Sequence, residues 1–321
     1  MQVRKLGDAG LASSAIGLGT LALTGRSGPV DDAASVDTIR FALDIGVTLI
    51  DAATGFEAER AERLVGRAVA GRRDEAMIAV GGGSRPDAGG RRRRLDGTPE
   101  HLRRSCEASL ARLGVDHIDL YYLDGADPRV PLEDSMGKLA ELVAAGKVRH
   151  VGLSGASADQ LRRAHAVHPV AALAAEYSLW ERHVEAECLP AARERGVAVF
   201  ACRPLGRGFL TGRIRSADQL SANDLRRDDP RFWPENLPAN LDLLRAVEEI
   251  AAQRDLGLPR LAIAWLLGRG DDITPVPSTR DRVHLEMNSA AAGVRLTPDE
   301  CEHLAALFPP ASVAGRGCTL P

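Results

Sequence analysis

Residues 118–154 read IDLYYLDGADPRVPLEDSMGKLAELVAAGKVRHVGLS, and the order of patterns within them decides the fold. Two apolar runs, Ile118 to Leu123 and Val148 to Ser154, flank a segment whose apolar residues recur at helical spacing from Leu139 to Val143. Apolar runs without polar alternation are typical of parallel strands that are buried on both faces. The stretch therefore predicts a strand, a helix and a second strand parallel to the first.

The same alternation continues along the chain. Eight apolar runs predict eight strands, at residues 15–19, 47–51, 77–80, 118–123, 148–154, 170–176, 197–201 and 273–276. Eight strands alternating with helices predict an α/β fold, a (β/α)8 TIM barrel that takes up residues 1–321 as a single domain. A doubly wound open sheet is the alternative.

Two further segments refine this prediction. Val3–Leu6 and Leu11–Ser14 flank the turn Gly7–Gly10, which predicts an N-terminal β-hairpin. After the seventh strand, the segment from Pro204 to Leu237 is rich in Gly, Arg and Pro and has no sustained periodicity. A loop of that length inside a compact domain is usually functional.

Composition excludes several classes of protein. The chain is 45% apolar and 26% charged, and none of its apolar runs approaches the roughly 20 residues needed to cross a bilayer. We expect no secretory signal, and hence a cytoplasmic location, because no apolar stretch follows the basic start of the chain. The net charge of −3 argues against nucleic acid as a partner. Five cysteines without C-x-x-C spacing predict reduced thiols and no metal site. A small molecule is the expected partner, and the oligomeric state is left open.

The loops that follow the strands build the active site in such a barrel. The residues expected at this mouth are Asp51, Gly81, Asp124, Ser154, Glu176 and Arg203. Asp51 and Asp124 should approach each other, and two carboxylates in a partly dry pocket can serve as an acid and a base. Alternatively, Asp51 is structural and Asp124 pairs with a loop cation such as Arg129.

Several motifs together resemble those of the aldo-keto reductase superfamily over nearly the full length of the chain. They are Arg4–Gly7 with Ile16–Thr20, Glu62–Gly66, Ser109–Leu120, Gly146–Arg149, Val151–Ser154, Glu176–Trp180, Pro204–Gly212, and Val276–Thr279 running on to Asn288. The resemblance implies the same barrel and a carbonyl-binding mouth.

The resemblance also implies a catalytic tetrad of aspartate, tyrosine, lysine and histidine, of which only the aspartate is matched. Asp51 stands at the aspartate position, whereas Phe56, Gly81 and Asp124 replace the tyrosine, the lysine and the histidine. In the family the tyrosine donates the proton while NADPH delivers hydride. A positioned acid typically contributes about 10²–10⁴-fold to a rate, so we expect ordinary carbonyl reduction to be severely impaired.

The cofactor positions that the resemblance implies are only partly kept. The residues expected to contact NADP(H) are Ser154, Pro204, Leu205, Gly206, Gly208, Leu210, Ser278, Thr279, Arg280, His284 and Asn288. Gly155, Ala174 and Cys202 replace the asparagine, glutamine and tyrosine that hold the nicotinamide, and Met287 replaces a glutamate. NADP(H) binding is therefore expected to be weak or absent.

A substrate pocket is expected around Thr20, Phe56, Gly81, Trp180, Arg203 and Trp233. A guanidinium at Arg203 suits a phosphate or a carboxylate, although Arg203 could also be a surface cation of the long loop. The run Arg91–Arg94 could attract an anionic substrate, or could be a solvated loop.

Three hypotheses for the function follow. The leading one is an enzyme that exchanged hydride transfer for acid–base chemistry, such as dehydration, isomerisation or cyclisation of a small polyfunctional metabolite. The first alternative is an NADP(H)-dependent oxidoreductase that reduces an enone C=C bond, because the family's double-bond reductases carry a carboxylic acid at the position of Asp124. The second alternative is a non-catalytic protein that senses NADP(H) or binds a partner.

Overall fold

The computed structural model describes residues 1, 3–25, 29–52, 58–86, 93–222 and 224–315. In chain order the strands are β1 (Val3–Leu6), β2 (Leu11–Ser14), β3 (Leu18–Gly19), β4 (Leu49–Asp51), β5 (Met77–Gly82), β6 (Ser84–Pro86), β7 (Arg93–Leu95), β8 (Ile118–Asp124), β9 (Val148–Ser154), β10 (Val170–Glu176), β11 (Ala198–Cys202) and β12 (Ile273–Val276). The α-helices are α1 (Asp32–Asp44), α2 (Ala58–Val69), α3 (Pro99–Leu113), α4 (Leu132–Ala144), α5 (Ala158–Val167), α6 (Cys188–Arg193), α7 (Leu237–Gln253), α8 (Leu258–Gly268), α9 (Arg282–Ser289) and α10 (Pro298–Leu307).

Eight parallel strands form the barrel, and helices surround them. The order of hydrogen-bonded neighbours is β12, β11, β10, β9, β8, β5, β4 and β3. A parallel bridge between Gly19 and Ser278 brings the two outer strands together, supported by a hydrogen bond of 2.9 Å from the Gly17 N–H to the Pro275 carbonyl. The predicted (β/α)8 barrel is therefore confirmed, and the open sheet is wrong.

The predicted N-terminal hairpin is also confirmed. β1 pairs antiparallel with β2, from Val3 opposite Ser14 to Leu6 opposite Leu11. Leu6 and Leu11 are buried and pack with the apolar residues inside the barrel, so the hairpin closes the end opposite the mouth. At its turn Gly7 has a φ of 59°, and a Cβ there would lie 2.2 Å from the Gly196 carbonyl oxygen, so only glycine fits without a shift.

A second hairpin was not predicted. β6 pairs antiparallel with β7, and Arg94 lies opposite Arg85. Part of the arginine run is therefore a strand rather than a loop, while Arg91 and Arg92 lie outside the described residues. The two strands have no apolar alternation, so no strand was predicted on either side of the connecting residues.

The long connection after β11 folds into four short 3-10 turns, at residues 206–211, 217–219, 225–228 and 230–232. Phe209, Leu220 and Phe232 from these turns are buried and belong to the main core. The segment has no helical or strand period because each turn buries single apolar residues and has no continuous apolar face. None of the described helices is long and apolar enough to cross a membrane.

Side chains inside the barrel follow the two-residue period of strands. The inner apolar cluster includes Leu49, Met77, Ala79, Leu120, Tyr122, Ala172, Ala174, Ala198, Phe200 and Val276. Residues two positions further along a strand point to the same face. This period fixes which side chains reach the mouth.

Candidate active site

The mouth is lined by the residues that follow the inner cluster by two positions. They are Asp51 after Leu49, Gly81 after Ala79, Asp124 after Tyr122, Glu176 after Ala174 and Cys202 after Phe200. The structure therefore places three carboxylates at inward positions on one end of the barrel. Ser154 ends β9 opposite Asp124 in the register and belongs to the same rim.

Asp51 is joined to the loop that follows β3. The backbone N–H and the hydroxyl of Thr20 both donate to the Asp51 carbonyl, each at 3.0 Å. Thr20 is fully buried, so it secures the first mouth loop to the end of β4. Phe56, the expected replacement of the family tyrosine, lies outside the described residues.

Asp124 is held by a serine that sequence reasoning missed. The Ser84 hydroxyl donates to Asp124 Oδ2 at 2.9 Å. Arg129, the cation considered as a partner of Asp124, forms its ion pair with Asp127 at 2.8 Å. Asp124 therefore lies at the mouth without Arg129, which pairs with Asp127 in the loop after β8.

Glu176 is surrounded by arginines. Its Oε2 accepts from Arg203 at 2.6 Å and from Arg207 at 3.1 Å, while Oε1 accepts from Arg231 at 3.3 Å. Burial alone would raise the pKa of Glu176, but Arg203, Arg207 and Arg231 lower it to about 2. This carboxylate is therefore a fixed counter-ion, and Arg203 lies at the mouth as predicted. Arg207 and Arg231 were missed because their loop has no periodic pattern.

Arg203 has an unusual backbone conformation. Its φ is 52°, and φ at Arg207 is 56°, both in the left-handed region that non-glycine residues rarely adopt. Such conformations cost free energy and persist where surrounding structure holds them. The turn directs the Arg203 guanidinium back across the end of β10 to Glu176.

The Cys202 thiol is not a nucleophile at neutral pH. Burial raises its pKa to about 12. The nearby carboxylates of Asp51, Glu176 and Asp124 also raise the pKa, whereas Arg203 lowers it. The thiolate, not the thiol, is the reactive form. Cys202 therefore fills space at the mouth and stands near all three carboxylates.

An aromatic cluster anchors the long loop beside the mouth. The Trp180 ring stacks on Phe209 with centroids 4.0 Å apart and meets Phe232 edge-on at 5.2 Å. The Arg231 guanidinium lies 4.8 Å from the Trp180 ring centroid. Trp180 is buried, so it packs the loop instead of lining an open pocket. Trp233 is 41% exposed and donates from Nε1 to the Arg227 carbonyl within the loop.

The expected nucleotide-binding residues lie on the loop after β11 and around α9. Gly206, Gly208 and Gly212 have positive φ, and Pro204 and Leu210 are buried beneath them, with Leu205 half-buried. The other predicted contacts make protein contacts in this structure. Ser278 Oγ accepts from the Ala22 N–H at 2.7 Å, Thr279 Oγ1 accepts from the Asp281 N–H at 3.1 Å, Arg280 donates to the Pro29 carbonyl at 3.1 Å, His284 lies 2.9 Å from Arg213, and Asn288 is buried.

NADP(H) fits only one end of this site. The glycine-rich loop and the Arg280 region supply backbone turns and cations suited to phosphates. At the other end, Gly155 has no side chain and its N–H donates to the Ala174 carbonyl at 3.1 Å, while Cys202 offers a protonated thiol. These positions therefore offer no amide or aromatic side chain to a nicotinamide ring. Across the described residues, no group of three or more His, Cys, Asp and Glu side chains could hold a metal ion.

Fold and site together define a (β/α)8 barrel with a substrate site at the carboxyl ends of its strands. The model described as "Aldo/keto reductase family" matches residues 15–308. "Probable aldo-keto reductase 1" from Glycine max is 37% identical over 98% of this chain and 91% of its own length. Among solved structures, the glycerol dehydrogenase AKR11B4 from Gluconobacter oxydans superposes with a TM-score of 0.86 at 30% identity, covering 96% of both chains. An aldo/keto reductase from Klebsiella pneumoniae, solved with NADP and acetate, gives a TM-score of 0.72 at 26% identity over 96% of both chains. The chain therefore belongs to the aldo/keto reductase family, which is a family of enzymes.

Proposed function

We propose that this family member has lost ordinary carbonyl reduction and performs acid–base chemistry on a small polyfunctional metabolite. The reaction is a dehydration, an isomerisation or a cyclisation. The observation that carries the proposal is the pair of carboxylates, Asp51 and Asp124, at inward positions on β4 and β8, with Gly81 on the strand between them. Phe56 and Gly81 supply neither a proton donor nor a cation for hydride chemistry.

Glu176 serves as a counter-ion and is not assigned to the proton-transferring pair. Glu176 is neutralised by three guanidiniums and cannot exchange a proton near neutral pH, since its pKa is about 2. Asp124 accepts a hydrogen bond from the Ser84 hydroxyl, and Asp51 is the last residue of β4. One carboxylate removes the proton next to a carbonyl group, and the other returns a proton to the leaving or receiving atom.

Arg203 supports an anionic group on the substrate. The Arg203 side chain is 42% exposed at the mouth. One of its guanidinium nitrogens donates to Glu176. A guanidinium presents several N–H donors in one plane, which suits a carboxylate or a phosphate. The proposed substrate is therefore an anionic carbonyl compound with hydrogen on the adjacent carbon.

Two measurements test this proposal. The first is NADPH oxidation over a broad panel of aldehydes and ketones, where we expect no brisk turnover. The second is deuterium incorporation from D2O next to the carbonyl group of anionic ketones, followed by NMR without any cofactor. Asp51→Asn and Asp124→Asn should each slow the exchange by about 10²–10⁴-fold, because each removes a positioned acid or base.

Asp116→Asn is the matched control, since Asp116 is exposed and lies just before β8, at the opposite end of the strand from Asp124. It should exchange at the wild-type rate. Exchange that survives both active-site substitutions would show that the carboxylate pair is not the catalyst.

A second candidate is NADP(H)-dependent reduction of an enone. It is supported by the folded Pro204–Gly212 loop and by the relative from Klebsiella pneumoniae, whose structure contains NADP. Asp124 would face the enone oxygen from the end of β8. NADPH-dependent loss of an enone chromophore would favour this candidate over the first.

A further inference from the structure

Tyr122 has a buried hydroxyl that no residue of the described ranges bonds. Its side chain is 1% exposed, and its oxygen has no hydrogen-bond partner among the described residues. A buried hydroxyl left without a partner costs roughly 1–3 kcal/mol. A cost of this size calls for a partner beyond the residues that the structure describes.

The position of Tyr122 points to a ligand oxygen. In a barrel with shear 8, the inner side chains form layers across the barrel axis, and each layer takes its side chains from every second strand. From one strand to the next, the layer lies about one residue further along than the register partner. The registers then place Tyr122 in one layer with Asp51, Ala174 and Val276. Burial, followed by the charges of Asp51 and Cys202, raises the pKa of Tyr122 well above its usual range, so the hydroxyl stays protonated and can only donate to an anion.

The layer above Tyr122 carries little side-chain volume. By the same registers it consists of Gly19, Gly81, Ser154 and Cys202, all of which have small side chains or none. Gly81 is the register partner of Tyr122 on the next strand and is partly exposed. The Gly81 and Tyr122 backbones are therefore about 4.8 Å apart, one strand spacing.

The Tyr122 ring is held in place by its neighbours. Phe200 meets the Tyr122 ring edge-on with centroids 6.4 Å apart, and a Cβ at Gly152 would lie 2.6 Å from Tyr122 Cδ1. Glycine at position 152 thus makes room for the ring. A hydroxyl on a fixed ring needs no reorganisation when negative charge develops next to it.

We propose that the Tyr122 hydroxyl donates a hydrogen bond to the substrate oxygen that becomes an enolate while Asp51 or Asp124 takes the adjacent proton. The assignment rests on the proposed function and names its substrate class, an enolisable carbonyl compound. No proton leaves Tyr122: the C–H electron pair moves into the C=C bond, the carbonyl π pair moves to oxygen, and the proton goes to the carboxylate.

The test uses 4-nitrophenolate, an oxyanion whose absorbance shifts when its oxygen accepts a hydrogen bond. We expect it to bind the wild-type protein, and Tyr122→Phe to weaken binding by at least about 10-fold, the loss of one hydrogen bond to a charged group. Tyr121→Phe is the matched control, because Tyr121 is equally buried on the outer face of the same strand. It should bind the probe as the wild type does.

Unfolding in urea provides a second readout. Removing a hydroxyl that has no partner among the described residues should leave the Tyr122→Phe midpoint unchanged or raise it. A lowered midpoint would show that the hydroxyl has a structural partner. In the binding experiment, equal probe affinity in Tyr122→Phe and wild type, or no binding to wild type, would overturn the assignment. If the probe binds through Tyr122 but no deuterium exchange is found, the proposed function fails while the assignment of Tyr122 as an oxyanion donor stands.

Discussion

Replacing Glu176 with glutamine should strongly destabilise the protein. Glu176 is 14% exposed and accepts hydrogen bonds from Arg203, Arg207 and Arg231. Its pKa falls from 4.5 to about 2, and at 1.36 kcal/mol per pKa unit this shift corresponds to about 3 kcal/mol. Because the folded-state pKa is the lower one, this stabilisation is complete above pH 4.5 and is lost as the pH falls through about 2. Glu176→Gln loses it at every pH.

Urea unfolding of wild type and Glu176→Gln between pH 2 and pH 7 measures this effect. We expect the two free energies of unfolding to differ by about 3 kcal/mol at pH 7 and to converge at the acid end. Glu141→Gln is the control, because Glu141 pairs with Lys138 on the surface with a side chain that is 68% exposed. It should not change the free energy of unfolding measurably. Equal stability of Glu176→Gln and wild type at pH 7 would refute the reasoning.

Three further substitutions test the packing around Tyr122 and the anion contact. Gly152→Ala places a Cβ 2.6 Å from the Tyr122 ring and 3.0 Å from the Ala172 carbonyl oxygen, so urea unfolding should show a loss of about 1–3 kcal/mol. Gly137→Ala is the control, because Gly137 lies in a helix and its new Cβ would have nothing within 4 Å. It should raise the free energy of unfolding by up to about 1 kcal/mol. Equal effects of the two substitutions would contradict the packing described around Tyr122. Arg203→Gly relieves the positive φ of 52° but removes one of the three cations that stabilise Glu176, so the urea midpoint should fall, though by less than in Glu176→Gln, while calorimetric binding of inorganic phosphate is lost. Phosphate binding that survives this substitution would show that Arg203 is not the anion contact.

The barrel could be predicted from the sequence because its strands carry a strong local signal. Val148–Ser154, Val170–Glu176 and Ile273–Val276 were predicted with the bounds that the structure has. β3 covers only Leu18–Gly19 of the predicted 15–19. The neighbouring Gly17 N–H bonds to the Pro275 carbonyl where the barrel closes. A long-range contact of that kind leaves no local pattern.

The mouth was predicted less completely than the barrel. Asp51, Asp124, Glu176 and Arg203 follow from their places at strand ends, and Tyr122 could have been found from the two-residue period, since it precedes Asp124 by two residues. Ser84, Arg207 and Arg231 could not, because their loops bring them to the site through single tertiary contacts. Sequence spacing does not encode such contacts.

Cofactor affinity tests most directly whether the mouth has left hydride chemistry. Gly155, Ala174 and Cys202 replace two amide hydrogen bonds and one aromatic stack, which at about 0.5–1.5 kcal/mol each amount to several kcal/mol of nicotinamide affinity. In calorimetric titrations we predict that NADPH binds little better than its adenosine bisphosphate fragment and that NADH binds more weakly still. Sub-micromolar NADPH binding, far tighter than that of the fragment, would contradict the proposal and show a working nicotinamide pocket.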